Sequence, residues 1–482
     1  MAAGGLAAAG AGTSANRPKL LVLVVLEQLR PDLLEAISPV LIAGGLRRVL
    51  SRGVQFPDCR NLASTFPASS LATLATGAWP AQHGIVADAW YDRTSKAPVR
   101  ASSEMLLAST FSAEAARAKA HTRAYVVALD SWQAGLFAAE PGVRQFWLSP
   151  HGVFATLGDP PDWLREFNAT NPIENRRNAK WSSPSARPGA PALRTLTYNP
   201  DHPSEFMDLY RASPFSQETQ ISLAAKLIEE ERLGTGDTLD LVTIVAGSSA
   251  LLGYEVGADD PLLREMALSL DREMRFLLER LDAAVGEGGF NLVLAGAHGA
   301  PPAPPAAARA RMAVNGESVA AAVDKALQAG GLGRVARYLY PFLYLDHPAA
   351  KDARAVREAA ARAALEHPAV AGFYTADGDC SVRDGWIERY RNSFHPRRSG
   401  DVMLSYRAEY VEDYGQGRGI SYGSLYNYDA RVPLCFYGPW FRTGVIDRPV
   451  QLVDVAATLA RLMGVAAPSS SVGRVLSEAL AE

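Results

Sequence analysis

A chain of 482 residues with 48% hydrophobic content is long enough to bury a large core, as one elaborated α/β domain or as two or three small ones. Its 48 basic residues stand against 51 acidic ones without a run of like charge, which gives a nucleic-acid partner no footing. Three scattered cysteines, Cys59, Cys380 and Cys435, exclude a disulfide framework and form no Cys-x-x-Cys metal motif.

Residues 1–18 are rich in Ala and Gly and read as a disordered segment or the remnant of an export leader, without a basic n-region or a proper apolar h-region. From 19 onward, the runs LVLVVL (21–26), AYVVAL (124–129), LVTIVA (241–246) and NLVLAG (291–296) predict buried strands. Helical stretches alternate with them. In the longest, residues 261–285, Leu263, Met266, Leu270, Met274, Leu277, Leu278 and Leu281 recur at spacings of three and four, a core-facing stripe. This alternation predicts an α/β sheet with helices on both faces. Residues 157–212, dense in Pro, Asn, Ser and Trp, predict a loop-dominated excursion over the mouth of a site, where selection of a ligand is usually carried. Residues 312–398 then offer the helix-like VAAAVDKALQ, the strand-like RYLYPFLYLD, a helix over AKDARAVREAAARAALEHP and the strand VAGFYT. The helix-like VDVAATLARLMGV (453–465) follows near the end. No run of 18 or more apolar residues is present to span a membrane.

The segment TFPASSLATLATGAWPAQHGIVADAWYDR (65–93) carries three landmarks: TG, P-x-x-HGI and WYDR. Further along stand SPF (213–215), DLVTIVAGSSALLGY (240–254), NLVLAGAHGA (291–300), SGDVML (399–404) and SYGSLYNYDARVPLCFYG (421–438). In this order they resemble the alkaline phosphatase superfamily, specifically its type I phosphodiesterase/nucleotide pyrophosphatase branch and the phosphate-irrepressible alkaline phosphatases within it. The resemblance implies a mostly parallel central sheet, with 19–311 and 399–482 as the core and 312–398 as a small inserted α/β subdomain. It also implies two zinc ions about 4 Å apart, one activating a nucleophile and one stabilising the leaving oxygen. Relatives of this kind are usually exported to the periplasm or beyond.

Carried over position by position, the site that the resemblance implies is mostly missing. The first ligand Asp falls on Glu27, a carboxylate one methylene longer. The nucleophile falls on Pro67, which has no hydroxyl to activate; Thr65, Ser69 and Ser70 are the nearby hydroxyls. The Asp-x-x-x-His pair falls on Ala250 and Tyr254, the Asp-His pair on Ala297 and His298, and the late His on Tyr422. Only Glu27 and His298 remain as donors, and two ligands do not hold a catalytic zinc. No cofactor is therefore expected. The phosphate cradle changes in the same direction: Asp88 stands for an Asn, and Asp130 and Trp132 stand in a turn where a Lys and an Arg would meet phosphate oxygens.

Simpler readings of these residues exist. Glu27 is equally a strand-end carboxylate pairing with Arg30, and His298 a hydrogen-bonded structural histidine. Tyr254 and Tyr422 read as filling the volume the metals would take, leaving no pocket; a ligand-binding role is the alternative. The expectation is a family member that has lost zinc binding and phosphoester hydrolysis and keeps a binding or regulatory role toward an unknown small molecule or protein. The alternative is an active phosphomonoesterase or phosphodiesterase with a site remodelled around Glu27, His298, Asp88 and Thr65 or Ser69. A protein that docks partners through the excursion and the 312–398 region is a third.

Overall fold

The computed structural model describes residues 18–118, 122–183, 185–302, 312–348, 352–381, 385–408, 410–413 and 422–481. The 1–17 stretch of the Ala/Gly-rich segment lies outside them.

Leu20–Leu26 forms a strand in which all seven residues are buried. Leu21, Leu23 and Val25 enter one hydrophobic cluster, while Leu20, Val22 and Val24 enter a second on the opposite face. A strand covered on both sides has no reason to alternate with polar residues, which is why the sequence reads as an unbroken apolar run. We number the strands of this central sheet along the chain: β1 (Leu20–Leu26), β2 (Val54–Gln55), β3 (Ala124–Ala128), β4 (Val143–Leu148), β5 (Phe154–Thr156), β6 (Asp240–Ala246), β7 (Phe290–Gly296), β8 (Leu434–Tyr437) and β9 (Gly444–Val445). The nine lie in the order β9-β2-β8-β7-β1-β6-β3-β4-β5. From β7 to β4 all neighbours are parallel, and antiparallel pairs appear where β8 meets β7 and β5 meets β4. The register matches Leu26 with both Ala246 and Gly296. Glu27, Gly247 and Ala297 therefore leave the sheet side by side.

Helices that cover the sheet or border the carboxyl ends of its strands include α1 (Pro67–Thr76), α2 (Ser131–Phe137), α3 (Pro214–Glu230), α4 (Ser248–Val256) and α5 (Pro261–Val285). Leu71 and Leu74 of α1 join the first cluster, and Leu270, Met274 and Leu277 of α5 join the second, so helices cover both faces as expected. All seven residues of the α5 stripe are buried, each Leu contributing about 1.5–3 kcal/mol of transfer free energy. Asp260 caps α5 by accepting from Leu262 N at 2.8 Å, and Pro261 opens it.

A second, antiparallel sheet runs Arg334–Leu339, Phe342–Asp346, Val402–Tyr406, Val370–Thr375, Cys380–Ser381. Gly316–Ala329 and Ala353–Leu365 pack on one face of it, and Phe342, Tyr344 and Met403 join the first core cluster from the other. Two expectations need correction. The boundary at 398 is too early, because Val402–Tyr406 is the middle strand of this sheet. RYLYPFLYLD is not one strand but a hairpin that turns at Tyr340–Pro341, where a residue without an N–H interrupts the ladder. The excursion 157–212 is also more regular than expected. It holds helices Asp162–Thr170 and Pro203–Arg211 and a short pair, Lys180–Trp181 with Arg194–Thr195. Leu164, Phe167 and Phe206 anchor it in the second core cluster.

Candidate functional site

Ligand sites in parallel sheets form beyond the carboxyl ends of the strands, and here that end is open. A cavity of about 540 Å³ lies there. Its carboxylates are Glu27, one residue past β1, Asp130, opening α2, and Asp88, from the loop before the strand Ala89–Asp92. Its aromatic walls include Trp132, Tyr254 and Tyr422, while Pro67 and Ala250 line it with little chemistry. The volume is thus walled by the two tyrosines and not filled by them, contrary to the expectation that they leave no pocket. Tyr340, at the turn of the second sheet's hairpin, closes another side.

Glu27 is 1% exposed. It does not pair with Arg30, which binds Asp32 and Asp259. Its Oε2 accepts instead from Gln133 Nε2, and its Oε1 has no partner. Gln133 is held in turn by the N–H of Asp130, which its Oε1 accepts at 2.9 Å. Gly247 permits this arrangement, since a Cβ there would fall 2.7 Å from Glu27 Oε2 and 2.6 Å from Gln133 Nε2. Burial, then the charges of Asp130 and Asp88, push the Glu27 carboxyl up to about 8 against the opposing Gln133 bond. Asp130 is raised by burial, although Arg211 from the excursion pairs with it.

Asp88 is exposed to the cavity. Its Oδ1 accepts from Ala68 N at 2.9 Å, at the first turn of α1. Burial lifts it to about 6, and the Ala68 N–H and Arg100 oppose the shift. A helix N-terminus is an anion site by virtue of its free N–H groups. In α1 the first of them is removed by Pro67 and the second is given to Asp88, so the chain's own carboxylate takes the place of a bound anion.

Tyr422 lies among Gln28, Ala250, Tyr254 and His298. Its hydroxyl sits 2.8 Å from the Ala250 carbonyl and 2.9 Å from Gln28 Oε1, sharing one proton between them. Its ring packs edge-on against His298 with centroids 4.9 Å apart and lies 6.3 Å from that of Tyr254. One side chain thus ties together the segments that bear Gln28, Ala250 and His298. His298 is fully buried and does not line the cavity. Burial pushes its imidazole down to about 4, and Nδ1 lies 2.7 Å from the Gly299 carbonyl, so the neutral ring donates there and leaves Nε2 without a partner. Ala297 is buried in the first core cluster.

The hydroxyls do not face the cavity. Thr65 Oγ1 donates to the Ser424 carbonyl at 2.9 Å, Ser70 Oγ accepts from Asn61 at 3.1 Å, and Ser69 is buried, with Oγ unpartnered. Among the described residues no group of three or more His, Cys, Asp or Glu side chains could hold a metal ion. Carboxyl groups that do not converge, with the one nearby imidazole behind a tyrosine ring, do not fit a two-zinc centre. Sequence reasoning missed Gln133, Gln28, Arg100 and Arg211. Of these only Gln133 carried a local signal, the Asp-x-x-Gln spacing of a capping box at 130–133.

Residues 21–419 match the family model of type I phosphodiesterases and nucleotide pyrophosphatases. Among characterised proteins the chain is 23% identical to alkaline phosphatase PafA of Elizabethkingia meningoseptica, over 96% of this chain and 95% of that protein. It is 22% identical to alkaline phosphatase PhoV of Synechococcus elongatus, over 96% of this chain and 93% of that one. The crystal structure of PafA superposes with a TM-score of 0.85 at 22% identity, covering 97% of this chain and all of that one, which establishes the fold. With its family match, its fold and the position of its cavity in agreement, this chain belongs to the type I phosphodiesterase/nucleotide pyrophosphatase family of the alkaline phosphatase superfamily.

Proposed function

We propose that this protein is a ligand-binding member of its family that no longer hydrolyses phosphoesters. The observation that carries the reading is the set of side chains around the cavity: Pro67, Ala250, Tyr254 and Tyr422 stand where the resemblance calls for a nucleophile and metal ligands. The α1 N-terminus filled by Asp88 supports it independently, because it removes the anion site along with the metals. Hydrolysis by this family's chemistry needs a barrier reduction within the 8–23 kcal/mol range of enzymes, supplied largely by a two-metal centre and a positioned nucleophile. Neither has the residues to support it here.

The competing reading, an active phosphoester hydrolase with a remodelled site, draws on the unpartnered Glu27 Oε1 and His298 Nε2. It lacks a serine or threonine hydroxyl in the cavity lining. Zinc analysis decides between them. Protein purified from zinc-supplemented medium is expected to hold well under one zinc per chain, and added zinc to leave Tm unchanged, where saturation at ~1,000 times Kd would add about 4 kcal/mol. Aryl phosphate mono- and diesters are expected to turn over no faster than with heat-treated protein. Two tightly held zinc ions per chain with zinc-dependent turnover would establish the competing reading instead.

A further inference from the structure

Resting on the reading of the site as non-hydrolytic, we propose that the cavity binds a small organic ammonium ion, with the charged head between Glu27 and Asp88 and the apolar body along Trp132, Tyr254 and Tyr422. Three observations meet in it. Glu27 is almost completely buried, and its Oε1 has no partner in the protein although the residue lines the cavity. A buried polar atom left unsatisfied carries a desolvation cost that a bound donor relieves.

The second observation is charge. Among the described residues no Lys or Arg makes an ion pair with Glu27 or Asp88; Arg211 is engaged by Asp130, and Arg100 lines the cavity as an exposed residue. Two carboxyl groups thus face the same space without a bonded cation. An ammonium head carries donors for both and a charge that favours their ionised forms, whereas a phosphate would meet the Asp88 carboxylate and find the α1 N-terminus already taken by it.

The third is the wall. Tyr254 and Tyr422 pack with ring centroids 6.3 Å apart, and Trp132 lines the same cavity as a half-buried ring. Ring faces attract cations within about 6 Å, and the attraction is greatest in sites that exclude water. Tyr422 cannot easily swing away, because its hydroxyl is held by Ala250 and Gln28. A cavity of about 540 Å³ is of the size that receives a small molecule and not a polymer.

The experiment is calorimetric titration of the intact protein with four probes: phenethylamine, benzyltrimethylammonium, the neutral benzyl alcohol and inorganic phosphate. The expected result is binding of at least one cation, at least tenfold tighter than benzyl alcohol, with no heat from phosphate. Asp88→Asn, at a cavity-exposed position, is expected to weaken the cation at least fivefold, and Trp132→Ala to weaken benzyltrimethylammonium at least threefold. Arg100→Ala, a surface change that leaves the fold intact, is expected to tighten it. Equal affinity for benzyl alcohol, tighter binding of phosphate, no binding of either cation, or an unchanged affinity in Asp88→Asn overturns the proposal. Zinc content and ester hydrolysis measured on the same preparation separate the two readings. Absent hydrolysis without cation binding removes this proposal alone, while zinc-dependent hydrolysis removes the reading on which it rests.

Discussion

Tyr422 joins separate segments of the chain through a single side chain. Its hydroxyl holds the Ala250 carbonyl and Gln28, and its ring meets His298. Tyr422→Phe keeps the ring and deletes the proton, leaving Gln28 Oε1 unpaired in a buried setting. We expect a loss of about 1–3 kcal/mol in urea unfolding with the slope unchanged; an unmoved midpoint would show that the hydroxyl carries no weight. Glu273 gives a pH prediction clear of the site. It is buried in α5, accepts from Gln217 at 2.6 Å, and burial pushes it up to about 8 from an ordinary 4.5. The folded state therefore holds this proton more tightly than the unfolded chain does. Its contribution is complete below about pH 4.5 and is lost as pH rises through about 8. Glu27 has the same sign. Between about pH 5 and pH 9 the protein is expected to lose on the order of 2–4 kcal/mol through Glu273, and Glu273→Gln to flatten that slope when unfolding is followed across the range.

At the scale of elements, the helix α1 owes part of its stability to a residue twenty positions downstream. Asp88 satisfies the Ala68 N–H and sets a negative charge at the positive end of the helix dipole. Asp88→Ala is expected to cost about 1 kcal/mol, the usual worth of a lost N-cap, read as a lower unfolding midpoint near pH 4, below the raised value of about 6 above which burial penalises the charged carboxylate. Legibility also divides at this scale. β1, β6 and β7 could be read because strands buried on both faces are apolar throughout, and α5 because its stripe spans about five turns. The hairpin at Tyr340–Pro341 could not, since both of its arms are apolar and run together. Asp162–Thr170 did carry a signal, Leu164 and Phe167 at a spacing of three, masked by the Pro and Asn around it. The positions of the site came from the order of landmarks. What they do there did not: the pairing of Arg211 with Asp130 joins residues 81 apart, and the turn of the Tyr422 hydroxyl toward Ala250 has no trace in local sequence.

For the molecule as a whole, the proposed loss of a metal site raises the question of whether it is confined to side chains. The strand register argues that it is. Glu27, Gly247 and Ala297 leave three adjacent parallel strands at the same level, and the backbone frame superposes on PafA with a TM-score of 0.85. Glu27→Asp, Pro67→Thr, Ala250→Asp, Tyr254→His, Ala297→Asp and Tyr422→His together should then rebuild two zinc sites. Each change alone should do little, because a metal gains affinity only once its ligand set is nearly complete and oriented. The combined variant gives up the Tyr422 hydroxyl bond, so without metal it should melt below the parent, and zinc should restore the difference. That reciprocity separates a rebuilt centre from adventitious binding by surface groups, which would add zinc without adding stability. Hydrolysis should stay weak in this variant, since Asp88 still occupies the α1 N-terminus and Asp130 still faces the cavity. It should rise when the two are also changed to Asn and Lys. A folded sixfold variant that takes up no zinc would mean that the loops bearing residues 250 and 422 have moved along with their side chains.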